Sequence, residues 1–269
     1  METNDTTNQV EQSTPETGEL SHSDKMIGVF SEPAKMFAHT SKFPPRNKDW
    51  VIPMLTFFIV VALIRILAMT NEEIFFEAKQ DQIDRIESMV ESGAMNREQA
   101  DSAIEGINQQ MEFMQGPVGW IISIVSTLIF GFIIFFLIVG IYFLFIKFLL
   151  KGEGTFGSAL VANGLTAYIS ILQIILAGII TMAMGKMVMD TSAAAFMDVE
   201  RTTLTGWILA KIDPISIWAY IVLAIGFAKM FRSQSNTKYY ALVFGLWLIG
   251  GFILFQIASA VPFLGFLMQ

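Results

Sequence analysis

The sequence has no cysteine and only two histidines. The first absence excludes disulfides, thiolate metal sites and cysteine nucleophiles. His22 and His39 both precede the first long apolar run, so no histidine within the apolar segments can ligate a metal or act as a base. Charge is scarce as well. Asp, Glu, Lys and Arg make up 15% of the residues, against about 25% in a water-soluble domain. The net charge of −7 gives no electrostatic footprint for nucleic acid. No strand-like alternation and no internal repeat is visible. Without strands there is no βαβ unit.

What remains is apolar and clustered. Hydrophobic residues make up 54% of the chain and gather into runs long enough to cross a bilayer, about 20 residues each. The expected fold is all-α: a polytopic membrane protein with five transmembrane helices. The spans are expected near 50–69, 118–150, 160–188, 214–231 and 239–267. The second is over-long, with Gly131 and Gly140 as candidate bend points. Asp213 is placed to cap the fourth span, with Pro214 at its first helical position.

Residues 1–24 hold six acidic side chains and no Lys or Arg, and read as a disordered tail rather than a signal peptide. Residues 25–49 read as a cytoplasmic interfacial segment divided at Pro33. In it Met26, Ile27, Phe30, Met36 and Phe37 would enter the headgroup region, while Lys25, Lys35 and Lys42 face anionic lipid. Residues 50–269 form the membrane domain. Within it, 71–116 is expected to be an extracytoplasmic α-hairpin with eleven Asp or Glu against three Lys or Arg. Phe76, Ile83, Ile86 and Val90 form one helical stripe, and Ala100, Ile104, Ile107, Met111 and Met114 another. Gly93 would end the first helix, and Asn96 with Gln99 would form a capping box on the second.

Lys and Arg fix the expected orientation. Those near Lys25–Lys48, Lys147, Lys151, Lys229, Arg232 and Lys238 lie in short segments close to membrane ends. The remainder are spread over long acidic loops. The positive-inside rule then places the N-terminus in the cytoplasm and the C-terminus on the opposite face.

The chemistry-bearing patterns are few. Gly152-Glu153-Gly154-Thr155-Phe156-Gly157 spells G-x-G-x-x-G, yet a membrane helix enters it and another leaves it. A dinucleotide loop needs a strand before it and an acid some 20 residues on. The stretch reads instead as a tight turn, with a cytoplasmic partner contact as its sharper use. Polar residues in the spans are functional candidates by default. Gln173 and Gln256 lie deepest and could hydrogen-bond across helices or line a polar passage. Arg65 can snorkel, and Asn163, Tyr168 and Ser170 complete the set. No acidic residue is expected inside a span. No serine has a base beside it, and Asp198 with Glu200 sit on a loop, so no catalytic constellation is visible. Met182, Met184, Met187 and Met189 are expected to be apolar filler rather than a soft-metal site. No catalytic, cofactor-binding or metal-binding residue is assigned, and no cofactor.

Four features resemble the Yip1 domain family. The first is GVFSEPAKMF at 28–37, with Phe30, Pro33 and Phe37, followed by NKDWVIPM. The others are GEGTFGSAL with ALVANGLTAYISILQIIL, then LAKIDPISIWAYIVLAIGFAKMF with Asp213, Trp218 and Gly226, and the five-span layout. The chain resembles a bacterial member over roughly 26–269. The resemblance implies a non-enzymatic membrane adaptor or organiser, since eukaryotic members bind Rab GTPases through their cytoplasmic N-terminal region. Candidate partner or lipid contacts are then Phe30, Pro33, Lys35, Phe37, Lys42, Gly152, Glu153 and Gly154. The expected partners are membrane lipids and a cytoplasmic protein, with a homo-oligomer possible in the bacterial cytoplasmic membrane. A small permease or lipid-handling protein is the alternative.

Overall fold

A computed structural model describes residues 18–197, 199 and 201–260. Residues 1–17, 198, 200 and 261–269 lie outside the described residues. The body of the acidic tail, Asp198, Glu200 and Pro262 fall there.

Ser21 opens the first helix, α1 (His22–Ser31). Its hydroxyl accepts from Asp24 N–H, and the Asp24 carboxylate accepts from the Ser21 backbone, a complete capping box. The expected boundary at residue 24 is therefore too late. Pro33 starts α2 (Pro33–Thr40) at a position where its missing N–H has no consequence. Then come α3 (Lys48–Met69), α4 (Glu72–Glu91) and α5 (Arg97–Met114). After these run α6 (Pro117–Phe148), α7 (Phe156–Met184), a short α8 (Ala193–Phe196), α9 (Leu204–Lys211), α10 (Pro214–Met230) and α11 (Thr237–Gly245). A π-helical turn (Leu246–Gly250) joins α11 to α12 (Gly251–Ala260).

Four segments are long and apolar enough to cross a membrane: α3, α6, α7 and Thr237–Ser259. The candidate for a fifth is composite. α10 has 17 residues and reaches the required length only with α9, from which it departs by 61°. Asp213 sits at that joint, 2% exposed, so the expectation of no acid within a span fails if the bent pair is one span. The over-long α6 is one unbroken helix. Gly131 admits the Phe58 ring, since a Cβ there would stand 2.5 Å from Phe58 Cε1.

α7 is the central element and packs on α3, α10, α1 and α6. Its small residues let backbones approach closely. A Cβ on Gly164 would stand 2.5 Å from Trp50 Cα, and one on Gly178 would stand 2.8 Å from Ile64 Cγ2. Trp50 precedes Ile64 as Gly164 precedes Gly178, so α3 and α7 run parallel, as a first and third span must. α6 returns between them in sequence. Trp50, Phe58, Phe132 and Phe135 form its aromatic seam with α3.

α4 and α5 form the expected hairpin. Gly93 is left-handed at φ +73°, and the Asn96–Gln99 capping box is present. One stripe residue differs: Phe76 is 67% exposed, and Ile74 is the fully buried side chain of α4. At this end of the bundle α7 stops at Gly185, whose φ of +67° takes the chain out of the helix. Met187 therefore shares no helical face with Met184.

Candidate functional site

The N-terminal helices are bound to the bundle. Val29 and Phe37 are fully buried. The Phe37 ring lies where a Gly226 Cβ would come within 3.0 Å of it, so glycine on α10 leaves room for α2. Phe30 packs on Trp218 at 5.7 Å and stays partly exposed. Pro33 is half-buried. Lys35 pairs only with Glu32 on its own helix and is exposed, as is Lys42. Phe37 therefore does not enter the headgroup region, and Lys25 does not face lipid. Lys25 is fully buried and donates to Asp49 Oδ2 at 2.5 Å and to Glu19 Oε1 at 2.8 Å. Glu19 also pairs with Arg46. The His22 ring spans Asp49 Oδ1 at 3.1 Å and the Tyr168 hydroxyl of α7 at 2.7 Å. Sequence reading missed this network. Its members lie on α1, α3 and α7 and on the segments just before α1 and α3, and the one local signal was the Ser21–Asp24 spacing of a capping box, which starts α1 early enough to supply two of them.

The glycine-rich turn is a packing device. Gly152 and Gly154 sit under Phe231, where added Cβ atoms would stand 2.9 and 2.8 Å from Phe231 Cδ1. Lys147 Nζ donates to the carbonyls of Gly152 and Gly154 at 3.1 and 3.3 Å. Thr155 and Ser158 cap α7. Gly152 is covered and Gly154 half-covered, while Glu153 is exposed.

One feature of ligand dimensions within the helix bundle is a cavity of about 670 Å³ between α3, α6, α7 and α10. Ligand sites usually measure about 300–1,000 Å³. Met54, Phe58, Phe135 and Leu223 supply much of its apolar wall. One face of α7 supplies a polar stripe, Asn163, Thr166, Ser170 and Gln173, spaced 3, 4 and 3. Tyr142 and Tyr220 add two phenols. Thr166 donates to the Ala162 carbonyl at 2.8 Å. The side chains of Asn163, Ser170, Tyr142 and Tyr220 make no hydrogen bond among the described residues. In an apolar membrane interior such groups are costly unless something polar meets them.

Gln173 closes one end of the stripe. Its Nε2 donates to Asp213 Oδ2 at 2.5 Å and to Ser216 Oγ at 2.9 Å. Asp213 accepts further from Thr191 Oγ1, Ser216 Oγ and the N–H groups of Ile215 and Ser216. A carboxylate with this many donors at a helix N-terminus is stabilised without a cation.

Gln256 has no such role. It is exposed on α12 and makes no hydrogen bond among the described residues, which corrects the expectation of a paired amide there. Arg65 is exposed on α3, without an ion pair among the described residues. Among the described residues no group of three or more His, Asp or Glu is placed to hold a metal.

No curated protein and no solved structure matches this chain. A family model does: the Yip1 domain matches residues 27–257, and the chain is an integral membrane protein belonging to that family.

Proposed function

We propose that the protein acts without catalytic chemistry and holds an amphiphilic molecule of the bilayer in the cavity between α3, α6, α7 and α10. One observation carries this reading: four polar side chains open onto an apolar cavity and find no hydrogen-bond partner among the described residues. A lipid-like ligand with hydroxyl, ester or amide groups satisfies them while its chains fill the apolar wall. The test is native mass spectrometry of the full chain, gently extracted, beside Ser170→Phe, which removes one polar group and projects a ring into the cavity. A stoichiometric amphiphile present in the wild type and lost in the variant is expected. Equal retention in both, or only bulk lipid in both, overturns the reading.

A second reading keeps the adaptor role implied by the family, with a protein partner at the face holding α1 and α2. Ile27 is 59% exposed there, and Phe30, Lys35, Lys42 and Glu153 are also open. Cross-linking from residue 35 or 153 in native membranes is expected to capture one defined partner on this reading. The Lys and Arg bias supports a cytoplasmic location for this face, in a bacterial cytoplasmic membrane.

A further inference from the structure

At the same face, a second pocket of about 420 Å³ lies between the end of α2 and the end of α10. Lys42 from the end of α2, and Lys229 and Arg232 from the end of α10, converge on it, with Ser41, Ser233 and Gln234 beside them, and no carboxylate lines it. Several other cations at this face are engaged, and the exposed Lys48 and Lys151 do not line this pocket. Lys25 and Arg46 pair with carboxylates, and Lys147 and Lys238 donate to backbone carbonyls. The side chains of Lys42, Lys229 and Arg232 make no hydrogen bond or ion pair among the described residues.

The backbone adds an independent argument. α10 ends in a Schellman turn: Ser233 N–H donates to the Ala228 carbonyl at 2.8 Å, and Arg232 N–H to that of Lys229 at 3.0 Å. The left-handed residue of such a turn is usually glycine, yet here it is Arg232, at φ +55°. A helix C-terminus favours nearby cations, which accounts for Lys229 in the last turn. It does not account for a strained arginine where glycine would be more stable.

We infer that Lys42, Lys229 and Arg232 form a phosphate-binding site. The phosphate is carried by an anionic phospholipid headgroup at the membrane surface or is free in solution. Basic pockets beside membrane helices suit such groups, each cation near the surface being worth about a fivefold change in affinity.

The test uses the full chain in neutral detergent. Native mass spectrometry compares binding of phosphatidylglycerol and phosphatidylcholine, and calorimetry measures inorganic phosphate. Preference for phosphatidylglycerol identifies the headgroup, and saturable uptake of inorganic phosphate without lipid identifies the free anion. Either supports the site if binding weakens about fivefold in Arg232→Gly and again in Arg232→Gly with Lys42→Gln. Arg232→Gly is also expected to unfold at the same temperature as the wild type or higher, so lost binding is not lost folding. Absence of both phosphatidylglycerol preference and phosphate uptake overturns the inference. So does binding unchanged in Arg232→Gly.

Discussion

Gln173 in α7 donates to Asp213, at the joint of α9 and α10, across 2.5 Å. The contact ties the polar stripe of the cavity to the helix break. Asp213 also caps α10 through the N–H groups of Ile215 and Ser216. Asp213→Ala removes that cap, about 0.5–2 kcal/mol. It also leaves Thr191 without its acceptor and Gln173 with Ser216 in place of the carboxylate, a further loss of about 1 kcal/mol or more for these half-buried groups. Asp213→Asn keeps an oxygen acceptor and is expected to lose clearly less. Thermal unfolding of the purified chain in detergent ranks the two, and equal losses would contradict the capping account.

The approach of α3 to α7 rests on Gly164, whose added Cβ would meet the Trp50 backbone. Backbone cannot yield as a side-chain tip does, so Gly164→Ala is expected to destabilise by about 1–3 kcal/mol. Gly106→Ala in α5 meets open space and is expected to be neutral or to stabilise by about 0.5–1 kcal/mol, because alanine restricts the unfolded chain. Unfolding midpoints of the two variants check the contrast.

The long helices were legible because bilayer length and apolar composition dictate them: α3, α6 and α7 lie where runs near 50–69, 118–150 and 160–188 place them. Capping chemistry was equally local, so Asn96 with Gln99 and Asp213 with Pro214 could be read from adjacent letters. The candidate site was legible only in part. Gln173 and Ser170 stand out as polar residues in an apolar run, but their register with Tyr142 and Tyr220 depends on how α6 and α10 pack against α7. Lys25 misled for a related reason. A lysine in an amphipathic segment reads as lipid-facing until Asp49, 24 residues later, is brought beside it. The two glycines of the turn at 152–154 gave no hint that Phe231 would cover them.

At the opposite end of the bundle Asp190 is held by Arg201, at 2.7 and 3.0 Å, and by Ser192. Burial pushes its carboxyl upward. The hydrogen bonds from Arg201 and Ser192 and the guanidinium charge outweigh that, and hold it below its ordinary value of 3.8. A carboxyl lowered in the folded state stabilises the fold above the unfolded value, and that contribution is lost as pH falls through the folded one. Acid titration of stability below pH 3.8 is expected to show a step that Arg201→Gln shrinks or removes. Identical acid profiles for wild type and Arg201→Gln would contradict the assignment.

Lys25 and Asp49 are each about 1% exposed, so their pair couples α1 to the first turn of α3. Removing one partner from a buried pair strands the other charge, at about 3–5 kcal/mol, whereas replacing both by apolar groups is often neutral or better. Lys25→Met is therefore expected to destabilise strongly. The Asp49 carboxylate would keep only the His22 ring, while Glu19 would still hold Arg46. Asp49→Leu alone is expected to be costly too, because Lys25 would then rely on Glu19 and His22 would lose one of its two partners. The double variant is expected to recover a large part of the loss. A double-mutant cycle on unfolding midpoints gives the coupling. Proteolysis of the N-terminal helices in the same samples gives the location, since only Lys25→Met and Asp49→Leu singly are expected to expose α1. Additive losses with no recovery in the double variant would mean that the pair does not hold α1 in place, and that Val29 and Phe37 alone do so.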